Sequence, residues 1–69
     1  MPKLPSSKAI INILEKEGFA FVHQRGSHAK YRKGSATVIV PNPKKEIPLG
    51  TFKSIIRQSK LPAERFNKF

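Results

Sequence analysis

The residues of this chain best suited to chemistry are grouped at Gln24-Arg25-Gly26-Ser27-His28. An imidazole takes up and releases a proton near neutral pH, and His28 directly follows a Gly-Ser pair that suits a tight bend. Arg25 before the bend and Lys30 and Arg32 after it bring guanidinium and ammonium groups, which hold anions such as a phosphodiester. A titratable ring inside a cluster of cations describes a site and not a core. On position alone, His28 reads either as a general acid or base or as an exposed turn histidine that only contacts phosphate.

Other catalytic chemistries find few residues to work with. The chain has no cysteine, two histidines and four acidic residues, all glutamate. A disulfide framework and a thiolate zinc site are therefore excluded. Glu15, Glu17, Glu46 and Glu64 are too widely placed to hold catalytic metal ions, so no metal and no cofactor is expected. Fourteen Lys and Arg give a formal charge of +10 in 69 residues, which favours a polyanionic partner, nucleic acid first. A solvated basic surface or a ribosome-associated structural protein is the blander reading. Residues 1–69 make one domain, and a core of that size gives only about 3–5 kcal/mol unless an oligomer or partner adds to it. No apolar run approaches the roughly 18 residues of a spanning helix, and no secretory signal opens the chain, so a cytoplasmic protein without membrane attachment is expected.

The elements that must position these residues follow from local pattern. A first helix is capped by Ser6 or Ser7, carries Ile10, Ile11, Ile13 and Leu14, and stops at Gly18, where Phe19 folds back onto Leu14 in a Schellman closure. Three strand-like runs follow, Phe19–Arg25, His28–Lys33 and Ala36–Pro41, joined by Gly26-Ser27 and Gly34-Ser35 as type II′ turns. Those turns set a register in which Arg25 faces His28, His23 faces Lys30 and Phe21 faces Arg32, with Lys33 opposite Ala36, Arg32 opposite Thr37, Tyr31 opposite Val38 and Lys30 opposite Ile39. Alternation then gives one apolar face of Val22, Ala29, Tyr31, Val38 and Val40. The other face carries Phe21, His23, Arg25, His28, Lys30, Arg32, Thr37 and Ile39. After a proline-punctuated connection, a second helix is predicted from Gly50 or Thr51 to Lys60, with Phe52, Ile55, Ile56 and Ser59 inward and Lys53, Arg57 and Lys60 outward. Leu61 and Phe66 are expected against the core.

The fold class is α+β in two layers: helix, three-stranded antiparallel meander, helix, with both helices on the apolar face and the basic face open. The expected RNA contacts are His23, Arg25, Ser27, Lys30 and Arg32 on the sheet and Lys53 and Arg57 on the second helix. Phe21 and Ile39 are candidates for base stacking or partner contact, or for the fringe of the core, and Tyr31 is expected to be core with a hydrogen-bonded hydroxyl.

Gly18-Phe19, Gln24-Arg25-Gly26-Ser27-His28, Val40-Pro41 and Ile47-Pro48-Leu49-Gly50-Thr51 leading into Ser54-Ile55-Ile56-Arg57-Gln58 give the chain a family likeness. It resembles the HicA toxins of HicA/HicB toxin-antitoxin systems over nearly its whole length. The resemblance implies a fold similar to double-stranded RNA-binding domains, and an mRNA interferase that arrests translation until a HicB antitoxin covers its site. It also implies that His28 matches the family's active-site histidine. Some relatives carry a further histidine in the loop after the third strand, where this chain has Pro43, so the second proton-transfer group is open. The expected function is metal-independent RNA cleavage. The alternatives are a noncatalytic double-stranded RNA-binding module and a small protein whose basic face docks an acidic partner.

Overall fold

Ser6 opens the first helix, α1 (Ser7–Lys16), by accepting the Ala9 amide on its hydroxyl oxygen at 3.1 Å. The computed structural model describes residues 4–67; residues 1–3 and 68–69, at the ends of the expected domain, lie outside them. α1 closes as the sequence predicts. Gly18 takes a left-handed φ of 96°, its amide donates to Glu15 O at 3.1 Å, and the Phe19 amide donates to Leu14 O at 2.9 Å. Phe19 and Leu14 are both buried in the core. Lys33 Nζ donates to Glu17 O at 2.6 Å, placing a cation on the carbonyl end of α1.

The sheet is an antiparallel meander in the order β1-β2-β3, made of β1 (Ala20–Arg25), β2 (His28–Lys33) and β3 (Ala36–Pro41). Gly26 and Gly34 sit at φ 58° and 57° while Ser27 and Ser35 keep negative φ, the signature of type II′ over type I′ turns. The β2–β3 register is the predicted one, continued to Ala29↔Val40 and His28↔Pro41. The β1–β2 register agrees at Arg25↔His28 and His23↔Lys30 and then departs. Phe21 pairs with Tyr31, not Arg32, because a bulge takes up Val22 between Phe21 and His23. The bulge turns Phe21 to the Tyr31 face, where the rings meet edge to face with centroids 5.6 Å apart. Such a pair is worth about 0.5–1.5 kcal/mol. Its counterpart is Val22, expected in the core and found 44% exposed.

The second helix, α2 (Leu49–Ser59), begins one residue earlier than predicted and ends at Ser59, with Lys60 in the left-handed region. Ile55 and Ser59 are buried and Phe52 and Ile56 partly so. A short 3₁₀ helix (Ala63–Phe66) buries Phe66 edge to face on Phe52, and Leu61 is partly buried beside them. Ile10, Ile13 and Leu14 of α1 and Ile55 of α2 share one core with Ala29, Tyr31, Val38 and Val40. The fold is thus α+β, helix, three antiparallel strands, helix. Tyr31 is core as expected, but its hydroxyl bonds to no protein group among the described residues. Burial and the carboxylate of Glu15 raise its pKa above the ordinary tyrosine value.

Candidate active site

The observed pairing places His28, Lys30 and Arg32 of β2 on one sheet face with their cross-strand neighbours. On β1 these are Arg25 and His23, opposite His28 and Lys30; on β3 they are Pro41, Ile39 and Thr37. Directly paired residues have Cα atoms about 5 Å apart, so Arg25 is an immediate neighbour of His28, whereas His23 lies on the diagonal at about 7–8 Å. His23, Arg25, Ser27, His28 and Arg32 are exposed and Lys30 is half-buried. Phe21 does not belong to this face, because the bulge moves it to the other one.

The face is not uniformly open. α2 leans over the β3 edge, and Gln58 Oε1 accepts the Ile39 N–H at 3.0 Å, covering an amide on the outer edge of the three-stranded sheet. This produces a groove of about 360 Å³ lined by His28, Ile39 and Pro41 from the sheet and by Gly50, Thr51, Ser54, Ile55 and Gln58 from α2. His28 therefore faces the first turns of a helix, a wall absent from the sequence reading, which set α2 wholly on the apolar face. Pro48 precedes α2 and supplies no side-chain cap, so among the described residues the helix's free first-turn amides carry no capping bond. Partial positive charge at that end adds to Arg25 and Lys30 on the sheet.

A family profile described as the HicA toxin of bacterial toxin-antitoxin matches residues 7–61, the span that contains both helices, the sheet and the groove. The chain belongs to the HicA toxin family. No match was found among the curated proteins.

In this HicA toxin the remaining expected site residues are arranged unequally around His28. Arg57 donates from Nη2 to Ser54 Oγ at 3.1 Å, which brings its guanidinium to the groove rim. Lys53 is exposed and lies further round the helix from the Gly50-Ser54-Gln58 row that lines the groove. Lys60 is drawn off to the β2–β3 turn, where Nζ donates to Ser35 Oγ at 3.1 Å. Pro43 lines a separate hollow with Ser7, Ile11 and Lys44 and is absent from the His28 groove. The acids stay apart: Glu17 pairs with Arg65 at 3.3 Å and Glu15 stands near Tyr31. Among the described residues, no three His, Cys, Asp or Glu side chains gather, and no helix is long and apolar enough to cross a membrane. Thr51, Ser54 and Gln58 are not among the expected site residues, because their polar spacing at i, i+3 and i+7 looks like an ordinary wet helix face until β3 is placed beside it.

Proposed function

We propose that this HicA toxin is a metal-independent endoribonuclease of the cytoplasm, that His28 is its general acid or base, and that a HicB-type antitoxin restrains it. One observation carries the reading: His28, the one histidine among the described residues that line the groove, stands between a sheet face of cations and the uncapped start of α2. RNA supplies its own nucleophile. The 2′-oxygen attacks the adjacent phosphorus, the P–O5′ bond breaks, and the products are a 2′,3′-cyclic phosphate and a free 5′-hydroxyl. One proton leaves the 2′-hydroxyl and one reaches the 5′-oxygen, and an imidazole in reach of the phosphate serves either transfer, with water as the other partner.

Charge on the phosphorane oxygens must be balanced as it develops. Arg25 beside His28 and Lys30 on the same strand face supply fixed cations, and the α2 amides at Gly50 and Thr51 supply oriented dipoles. Arg57, Arg32, Ser27, His23 and Lys53 extend the track along which an RNA backbone runs, in that order of claim on the groove. A +10 chain also suits an acidic antitoxin laid across this face.

The test is incubation of purified protein with single-stranded mRNA and with duplex RNA in EDTA. Scission of the single strand into fragments ending in cyclic phosphate supports the proposal. Salt-sensitive binding to duplex RNA with no scission assigns the chain to noncatalytic RNA binding instead.

A further inference from the structure

Within the run from Gln24 to His28, Gln24 carries neither a charge nor a titratable ring, yet its exposed side chain makes three hydrogen bonds. Nε2 donates to Gly26 O at 3.0 Å and to Asn42 O at 3.0 Å, and Oε1 accepts from Asn42 Nδ2 at 3.1 Å. Two backbone carbonyls facing one end of the Gln24 amide fix that end as nitrogen. The oxygen end must then meet the Asn42 nitrogen, so the two amides admit one mutual orientation.

Asn42 completes the grip. Its backbone N–H donates to Ser27 O at 2.8 Å, so both central residues of the first turn have their carbonyls bound, Gly26 by Gln24 and Ser27 by Asn42. On its other side, Asn42 Oδ1 accepts the Ser7 hydroxyl at 2.9 Å. Ser7 is buried in the first turn of α1, where its oxygen also accepts the Lys44 amide at 2.9 Å. Besides the Arg25↔His28 pair that closes the hairpin, the turn has little packing among the described residues: no atom lies within 4 Å of where a Gly26 side chain would begin, and all of β1 is exposed.

We propose that Gln24 and Asn42 are positioning residues, a reciprocal amide clamp anchored on Ser7 that fixes the Gly26-Ser27 turn so that the His28 ring stays in the groove against α2. The clamp rests on the reading of His28 as the reacting group, but the ring position it sets is measurable without any reaction. A hairpin end exposed on both sides has little packing to define it, and hydrogen bonds to both turn carbonyls replace that packing. A displacement of about 1 Å at a reacting group is enough to cost on the order of a hundredfold in rate.

The experiment uses the full chain and the variants Gln24→Ala, Asn42→Ala, their double, and Gln24→Glu, which keeps the shape but removes the two donated bonds. Nuclear Overhauser contacts from the His28 ring to Thr51 and Ile39 are recorded alongside core contacts between Ile10 and Val38. Single-turnover cleavage of a mixed-sequence RNA is measured, with binding of its 2′-O-methyl counterpart. The clamp predicts that the His28–Thr51 contacts vanish while the core contacts persist. Cleavage should fall about ten- to a hundredfold with binding changed less than about twofold, and the double variant should be no slower than the slower single. Ring contacts retained in Gln24→Glu and Gln24→Ala overturn the clamp whatever the activity, as does unchanged cleavage after they are lost. Loss of ring contacts in a wild-type background that cuts no RNA upholds the clamp as a positioning device and removes the ribonuclease reading.

Discussion

His28 owes its setting to its neighbours on two strands and a helix. Arg25 is its direct cross-strand partner, Pro41 stands on the other side, and the row from Gly50 to Gln58 faces it across the groove. Cations differ in value according to this geometry. Arg25→Ala is expected to weaken RNA binding and reduce the slope of log K against log salt by about 0.7, one phosphate contact on a single strand. Lys53→Ala, on the outer helix face, is expected to change that slope less. Titration of labelled RNA at several salt concentrations measures both, and equal slopes for the two variants would show that binding does not centre on the groove.

At the scale of elements, what is written in short runs was readable and what depends on distant partners was not. Ser6, Gly18 and the two Gly-Ser pairs each specify their structure through their own or adjacent backbone, so the helix start, its closure and both turns follow from the sequence. The Val22 bulge does not, because strict alternation through Phe21-Val22-His23 reads equally well until the Phe21 ring finds Tyr31. The groove was hidden because a helical stripe tells which side of α2 is apolar and not that Gln58 reaches the β3 edge. The Gln24–Asn42 clamp joins residues 18 apart, beyond any local pattern. Gly18 shows how tightly the junctions are made: a Cβ there would lie 3.3 Å from Lys33 Cε, on a residue already at φ 96°. Gly18→Ala is expected to cost about 1–2 kcal/mol, measured by urea unfolding. A loss below about 0.5 kcal/mol would mean that the closure tolerates a side chain.

For the whole molecule, a Cα radius of gyration of 10.9 Å describes a compact chain carrying a net charge of +10. Self-repulsion of that order favours binding of an acidic partner, consistent with a toxin from a toxin-antitoxin family. Proton linkage adds a second global property. Burial and Glu15 raise the folded-state pKa of Tyr31, so the folded chain holds this proton more tightly than the unfolded chain does. The resulting stabilisation is fully present below the ordinary tyrosine pKa of about 10 and is lost as pH rises through the folded value. Thermal melts from neutral to strongly alkaline pH should show a steeper alkaline decline for wild type than for Tyr31→Phe, with little difference at neutral pH. Parallel curves would place the Tyr31 hydroxyl in water. The account as a whole is tested most directly by comparing wild type with His28→Ala in EDTA for cleavage of single-stranded RNA, with circular dichroism and RNA affinity as controls. It predicts that wild type cuts and that the variant folds and binds RNA but does not cut; full cleavage by the variant would contradict it.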